Sequence, residues 1–232
     1  MYDPQAKKLN EQDTFKEIVV EISARQLSAK SETLRQMSMF LTQVVFMEVC
    51  VHPKPGLVTR HGSGAHTDMS ILTFAAGSAV LAKAFSDLQI LGMKHNGNYQ
   101  ELFGKVRRYG VSAEQELLRV TKGVNTQRGI LFAGGLLAAA AGAAMNKGLD
   151  SKALCSIVAE MTQGLTENEL AGLQADRPLT AGERLYQAYG ITGIRGEVEA
   201  GFPSVRQNGL PGLKEAFAKG AGLNDALVHA LV

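Results

Sequence analysis

Residues 48–69 form a short segment that carries several side chains able to bind phosphate or to move protons. Lys54 lies between Pro53 and Pro55, and each proline fixes its own φ and keeps the preceding residue out of the α region. The lysine is therefore predicted to lie on a stiff, extended loop. Glycines let such a loop turn tightly or approach a ligand closely, and this segment contains Gly56, Gly62 and Gly64. The pattern is typical of an anion-binding loop; the alternative is a structural loop with a solvated lysine.

Groups that exchange protons follow on the same segment. His66 and Asp68 lie where the next apolar helical pattern begins, and Thr67 is the predicted N-cap of that helix. An imidazole and a carboxylate at the start of a helix are suited to proton transfer. In the alternative interpretation these residues only cap the helix.

A second block, residues 123–129, precedes the apolar run from Ile130 to Met145. The first N–H groups of a helix have no partner within it, and they lie at the positive end of its dipole, so they favour anions. Arg128 adds a planar cation that can bind phosphate through two donors. The alternative is that Asn125 or Thr126 caps the helix and Arg128 faces water.

A third block, residues 189–203, combines four glycines with one arginine and two carboxylates. In a helix, Arg195 and Glu199 are four residues apart and are predicted to pair with each other. Glu197 would then project elsewhere and act as a ligand or a base. The alternative is an incidental surface ion pair on a glycine-rich loop.

The elements that must position these blocks have helical periodicity nearly throughout the chain. Apolar residues recur every three or four positions, and no alternating strand of convincing length is present. The sequence predicts an all-α fold, a compact multi-helix single domain with functional loops at helix N-termini. The expected helices cover residues 34–48, 69–91, 99–120, 130–145, 151–161 (with Ser151 as its cap) and 181–189, and another begins near Leu223.

Composition excludes several classes of protein. With 232 residues, 45% of them hydrophobic, the chain can bury a full core, and a net charge of +2 gives no reason to expect a nucleic-acid partner. Cys50 and Cys155 lie in apolar contexts and predict reduced, buried thiols. The N-terminus has no apolar signal core, and the run from Ile130 to Met145 is shorter than the about 18–20 residues that a membrane helix needs. We therefore expect a cytoplasmic protein without membrane contact.

Taken together, the blocks resemble those of the triphosphoribosyl-dephospho-coenzyme A synthases, which make the prosthetic-group precursor of citrate lyase and malonate decarboxylase. Order and spacing agree from about Thr33 to the end of the chain. The matching residues are Glu48, 53–58, 64–69, 123–129, 180–184, Tyr189, Gly190, Gly193, 195–197 and 201–203. The resemblance implies a domain at residues 33–232 and leaves residues 1–32 as an N-terminal helical extension without an assigned role.

What the resemblance implies is a transferase that converts ATP and 3'-dephospho-CoA into 2'-(5''-triphosphoribosyl)-3'-dephospho-CoA and adenine. A triphosphate needs cations and helix N-termini, and it favours a hard divalent cation, for which Mg²⁺ is expected. Predicted binding residues are Lys54, Gly56, Arg60, Asn125, Thr126, Arg128 and Arg195; predicted metal ligands are Glu48, Asp68, Glu197 and Glu199. Lys54 is expected to be exposed, so that its loss weakens ATP binding and leaves stability unchanged.

Cleavage of the N-glycosidic bond builds oxocarbenium character at the ribose carbon C1'', which a nearby carboxylate stabilises. A base must take the proton of the attacking 2'-hydroxyl, and an acid must protonate the departing adenine. The predicted catalytic residues are Asp68, Glu197 and His66. The family's inversion from a β to an α linkage implies direct displacement without a covalent intermediate.

Two departures from the family pattern stand out. Gln127 occupies a position where relatives often carry His, and a glutamine cannot shuttle a proton. The chain also stops at Val232, within the last helical pattern, whereas relatives continue with a further helical segment. We expect the domain to be truncated there, to expose an apolar patch, and to self-associate as a homo-oligomer through it.

Two alternative functions belong to other classes. One is a non-catalytic module that binds a nucleotide or coenzyme A, which is favoured if the missing segment holds essential residues. The other is a helical, metal-dependent nucleotide hydrolase, whose products would be phosphate or pyrophosphate instead of adenine.

Overall fold

A computed structural model describes residues 32–171 and 178–231. The chain divides into two compact units, Met1–Met37 and Ser38–Val232. In the first unit, the described residues 32–37 are helical. The predicted N-terminal extension, residues 1–32, lies almost entirely outside the described residues and stays a prediction.

The described residues are helical, as predicted, and contain no β-strand; the nearest approach to one is an isolated bridge between Thr59 and Gly62. Helical residues continue into the second unit, where we call residues 38–50 α1. A 3₁₀ turn at Ser151–Ala153 precedes α5, and a π-helical turn at Val205–Gly209 precedes α9. The remaining helices are α2 (Ile71–Met93), α3 (Tyr99–Val120), α4 (Arg128–Lys147), α5 (Leu154–Met161), α6 (Leu165–Leu170), α7 (Ala181–Tyr189), α8 (Gly193–Glu199), α9 (Leu210–Ala218) and α10 (Leu223–Leu231).

Helices α2 and α4 form the centre of the core, and they make the most extensive helix contact in the second unit. A Cβ built on Gly92 of α2 would lie 2.0 Å from the carbonyl oxygen of Ala139, and one built on Gly142 of α4 would lie 2.0 Å from that of Gln89. The two backbones therefore approach so closely that only glycine fits at these points. Helices α3 and α5 pack against this pair.

Two helices in the described part of the chain, Ile71–Met93 and Arg128–Lys147, are long and apolar enough to cross a membrane by length and composition. The prediction that the run from Ile130 to Met145 is too short for a membrane helix was therefore wrong, because α4 extends beyond this run to 20 residues. In its most apolar window 67% of the residues are buried, against 33% for α2. Burial identifies α4 as a core helix, and the absence of membrane contact stays a prediction.

Several helix starts differ from the predicted ones. Helix α2 begins at Ile71 after Ser70, not after Thr67, and the Ser70 N–H donates to Thr73 Oγ1 at 3.2 Å. The His66 N–H donates to Ser63 O at 3.1 Å within a turn of the loop, and residues 67–70 are not helical, so the helix starts later than the apolar pattern suggests. The cap of α4 is Gln127 instead of Asn125 or Thr126, and Asp150 replaces Ser151 as the cap of the following turn.

Replacing Gly92 with Ala tests the close contact of α2 and α4. The new methyl group would meet backbone atoms, which cannot rotate away, so we expect the free energy of unfolding to fall by about 1–3 kcal/mol. Gly110→Ala in α3 is the matched control, because a Cβ there meets nothing within 4 Å and alanine favours a helix by about 0.5–1 kcal/mol. Chemical denaturation of both variants measures the difference. Equal stability of the two variants would contradict the packing argument.

Candidate functional site

A cavity of about 450 Å³, which we call the helix cavity, opens between α1, the start of α2 and the N-terminus of α4. Its lining is mainly apolar and includes Glu48 of α1 and the first turn of α4. The fold therefore brings the first and second sequence blocks together. The lining residues are Val44, Val45, Glu48, Val49, Phe74, Thr126, Gln127, Gly129 and Ile130.

The residues at the N-terminus of α4 line the helix cavity, and two of their buried polar atoms have no described partner. Gln127 is the N-cap, but its side chain makes no capping hydrogen bond, so the N–H groups of the first turn have no partner within the helix. Gln127 is 4% exposed, and neither its Oε1 nor the buried Oγ1 of Thr126 has a described hydrogen-bond partner. Gly129 has open space on the side where a Cβ would lie. This end of α4 has the donors and the room for an anion.

Arg128, at the same helix end, is partly exposed and forms an ion pair with Glu114 of α3. Sequence analysis missed Glu114, because nothing in the pattern shows which residue of α3 faces α4. A guanidinium has five N–H donors, so one carboxylate leaves others for a ligand. Phosphate binding by Arg128, and by the exposed Asn125 next to it, stays a prediction.

The proline- and glycine-containing segment folds around a second cavity of about 330 Å³, the loop cavity. Thr59 and Gly62 exchange backbone hydrogen bonds of 2.9 and 3.3 Å, and the Ala65 N–H donates to Gly56 O at 3.1 Å. Gly64 has φ of +60°, and a Cβ there would lie 2.5 Å from the Leu57 carbonyl oxygen. The loop is thus preformed by its own backbone. Its cavity is lined by residues 52–57, Thr59, His61, Gly62 and Gly64.

Lys54, which lines the loop cavity, is bonded to Glu48, which lines the helix cavity. Its Nζ donates to the backbone carbonyl of Glu48 at 2.7 Å and to the Glu48 carboxylate at 2.7 Å. The Lys54 side chain is 6% exposed, whereas that of Glu48 is 51% exposed. The expectation of an exposed lysine was therefore wrong, because the turn after Pro53 folds the side chain back against the end of α1.

Asn224 of α10 holds the loop from outside, and sequence analysis missed it. Its amide accepts from the His52 N–H at 3.0 Å and donates to the His52 carbonyl at 2.7 Å. Arg60 donates to Asn224 Oδ1 at 2.7 Å and to the Cys50 carbonyl at 3.1 Å. Arg60, predicted to bind phosphate, thus braces the loop against α10. No sequence signal marks a contact between residues so far apart in the chain.

His66 and Asp68 lie next to each other on the loop, outside the linings of both cavities. Their Nδ1 and Oδ1 atoms are 3.5 Å apart, and both side chains are at least one-third exposed. The structure brings this pair together but does not place it at either cavity. Their catalytic roles stay predictions.

The third block is used mainly to hold α6 and α8 together. Arg195 donates to Glu169 of α6 at 2.6 Å, and Arg107 of α3 pairs with the same carboxylate. The predicted pair of Arg195 with Glu199 is wrong, because Glu199 instead accepts from the N–H groups at the start of α6. None of these residues lines the two cavities.

The two carboxylates of this block accept backbone hydrogen bonds. Glu199 accepts from the Gly164 N–H at 2.6 Å and the Thr166 N–H at 2.9 Å. Glu197 accepts from the Ser204 N–H at 2.9 Å and from its hydroxyl at 2.8 Å. Burial raises the pKa of the Glu199 carboxyl, but hydrogen bonds from Thr166 and Gly164 outweigh that effect and hold the pKa below its ordinary value.

The predicted metal ligands do not assemble into one site. Glu48 pairs with Lys54, and Glu197 and Glu199 bind backbone groups of different segments. Within residues 32–171 and 178–231, no three His, Cys, Asp or Glu side chains are grouped to hold a metal ion. Metal ligation by Glu48, Asp68, Glu197 and Glu199 stays a prediction without a preformed cluster to support it.

Lys54→Ala should destabilise the protein, because it removes a buried stem and both bonds to Glu48. We expect the free energy of unfolding to fall by about 1–3 kcal/mol. Lys83 provides the matched control, since its side chain is 77% exposed in an ion pair with Asp87, and its replacement should cost less than about 1 kcal/mol. Urea denaturation compares the two, and a Lys54 variant as stable as the Lys83 variant would argue against the buried contact.

Glu199→Gln should lower stability at neutral pH, because a neutral amide binds the start of α6 less strongly than a carboxylate. The folded pKa of Glu199 is depressed, so its contribution is complete above the unfolded pKa of about 4.3 and is lost as pH falls through the lower, folded value. The two proteins should therefore converge in stability at acidic pH. Glu160→Gln, at an exposed position in α5, is the control. A Glu199 deficit that does not shrink at all as the pH falls below the unfolded pKa of about 4.3 would refute this assignment.

Comparison with known proteins agrees with the resemblance seen in the motifs. The sequence model described as ATP:dephospho-CoA triphosphoribosyl transferase matches residues 35–232. A probable 2-(5''-triphosphoribosyl)-3'-dephosphocoenzyme-A synthase of Pectobacterium carotovorum is 39% identical over 204 residues, 87% of this chain and 67% of that protein. One of Malonomonas rubra is 40% identical over 83% of this chain and 62% of its own length.

The 2-(5''-triphosphoribosyl)-3'-dephosphocoenzyme-A synthase of Pectobacterium atrosepticum is 40% identical over 80% of this chain and 62% of its own length. The chain thus spans about two thirds of the length of the curated relatives it matches. No solved structure matches it significantly. The matched region contains α1, the loop and the first turn of α4, which build both cavities, and on this evidence the chain belongs to the ATP:dephospho-CoA triphosphoribosyl transferase family.

Proposed function

We propose that this protein transfers the triphosphoribosyl group of ATP to the 2'-hydroxyl of 3'-dephospho-CoA and releases adenine. Family membership supports the reaction. The observation that supports this location is the helix cavity, whose lining includes Glu48 and the uncapped first turn of α4. As the resemblance implies, the product would be the precursor of the prosthetic group of citrate lyase or malonate decarboxylase.

The N-terminus of α4 is the proposed site of the triphosphate. Its first-turn N–H groups have no cap, and the helix dipole adds a positive partial charge at this end. The nearby Arg128 guanidinium supplies a full positive charge. The apolar walls at Val45, Phe74 and Ile130 suit the nucleoside, because ligand cavities combine apolar walls with a few polar groups that fix orientation.

Glu48 is the proposed electrostatic partner of the reacting ribose. When the bond between C1'' and the adenine nitrogen breaks, positive charge develops on the ribose, and a fixed carboxylate stabilises it. Lys54 donates one hydrogen bond of 2.7 Å to the Glu48 carboxylate and another of 2.7 Å to the Glu48 backbone carbonyl, so the carboxylate has a fixed partner before the substrate arrives. The 2'-hydroxyl oxygen attacks C1'', its proton passes to a base, and adenine leaves with the bonding electron pair and takes up a proton.

Mg²⁺ is proposed only as a companion of the triphosphate. It typically binds phosphate oxygens and water with one or two carboxylates, whereas the described residues form no group of three ligating side chains. The part of the chain that the structure describes therefore supplies no all-protein cage, and the steps above are assigned to the protein's own residues.

The test is to incubate the protein with ATP and 3'-dephospho-CoA and to separate the nucleotide products by chromatography. Adenine and the triphosphoribosyl product should appear together in equal amounts. Phosphate or pyrophosphate without adenine would instead identify a nucleotide hydrolase. Binding of both nucleotides with no product would identify a non-catalytic module.

Glu48→Gln tests the role of the carboxylate, because glutamine keeps an oxygen for Lys54 but removes the charge. We expect kcat for adenine release to fall by roughly 10²–10³-fold, the range for loss of one preorganised electrostatic group, with ATP affinity nearly unchanged. Glu116→Gln, in an exposed pair with Arg119 on α3, is the control. A Glu48 variant that turns over like this control would remove Glu48 from the mechanism.

A further inference from the structure

We propose that the loop cavity binds the acceptor nucleoside of 3'-dephospho-CoA and that His61 takes the proton from its 2'-hydroxyl. This inference rests on the proposed function, since it assigns the second substrate to a site of its own. A two-nucleotide transfer needs two adjacent sites, and the reacting atoms must come within about 3–3.5 Å of each other.

Adjacency comes from the ion pair of Glu48 and Lys54. Glu48 lines the helix cavity, Lys54 lines the loop cavity, and their charged groups are 2.7 Å apart. A donor ribose bound next to Glu48 and an acceptor ribose bound next to Lys54 would therefore be neighbours, because these two side chains are in direct contact.

The loop cavity is preformed, which lowers the entropic cost of binding a ligand in it. The backbone hydrogen bonds between Thr59 and Gly62 fix the turn at residues 59–62, which lines this cavity. Asn224 of α10 holds both backbone groups of His52, and Arg60 ties Asn224 to the end of α1. The loop wall that contains His52 is therefore held both by α10 and by the end of α1.

Two imidazoles face each other in this wall. The ring centroids of His52 and His61 are 4.7 Å apart with an interplanar angle of 75°. His52 Nδ1 lies 3.3 Å from Thr59 Oγ1. The His52 ring is therefore held by a contact within the loop. The His61 ring is exposed, and its described contact is the edge of His52. His61 is therefore an accessible imidazole in the lining of the loop cavity, and imidazole is the side chain that most often serves as a general base.

The proton balance is complete with His61 as base. Its imidazole nitrogen takes the 2'-hydroxyl proton while the oxygen forms a bond to C1''. The bond from C1'' to adenine breaks, and adenine takes up one proton from water. The imidazolium then returns one proton to water, so no net proton is gained or lost.

Two variants separate binding from catalysis. Gly62→Phe should fill the loop cavity without disturbing the fold, because a Cβ at Gly62 meets nothing within 4 Å. Calorimetry should show at least about a tenfold loss of affinity for 3'-dephospho-CoA and unchanged affinity for ATP. His61→Gln keeps hydrogen bonding but cannot accept the proton, so adenine release should fall by at least about a hundredfold with acceptor affinity within about threefold.

His229→Ala is the control, as it removes an exposed imidazole of α10 outside both cavity linings. Unchanged acceptor affinity in Gly62→Phe would overturn the subsite, and normal turnover in His61→Gln would overturn the base. If the wild-type protein releases no adenine, the proposed function fails. The calorimetric comparison of wild type and Gly62→Phe then still decides whether the loop cavity binds 3'-dephospho-CoA.

Discussion

At Gly92 and Gly142, helices α2 and α4 lie so close together that neither position has room for a side-chain carbon. The buried face of α4 consists largely of alanine and glycine, so that a long helix passes through the core next to another backbone. Close-packed interiors transmit small displacements with little loss. The position of the first turn of α4, and with it one wall of the helix cavity, therefore depends on this contact.

Glu48, at the end of α1, and the loop that follows it are held by a chain of polar contacts. Lys54 bonds the end of α1, the loop bonds itself, and Asn224 bonds the loop from α10. Desolvating a lysine is costly unless a carboxylate and further acceptors compensate it, and Glu48 provides both its carboxylate and its carbonyl. The same side chain remains half-exposed, and Glu48 also lines the helix cavity, so one ion pair joins a structural role to a proposed chemical one.

The third sequence block has a different character. Its arginine and one of its carboxylates lock α8 to α6, and its other carboxylate holds the N–H of Ser204. A carboxylate that accepts backbone hydrogen bonds is well suited to fix a turn, and its charge is already compensated. These structural contacts account for the arginine and the two carboxylates of the block without a bound ligand. In the sequence, the same residue types had indicated a ligand-binding site.

The sequence by itself determined the all-α fold, the bounds of α3 and α7, and the two blocks that meet at the helix cavity. Helical periodicity and glycine- or proline-containing loops are local signals, and they persist in any tertiary arrangement. Only the tertiary structure decided the partners of the charged groups: Lys54 with Glu48, Arg128 with Glu114, and Arg195 with Glu169 instead of Glu199. It also decided the contact of Asn224 with His52. Such pairs depend on which helix faces are brought within a few ångströms of each other, and that is set by the close packing of α2 with α4 and the docking of α10, which no local pattern encodes.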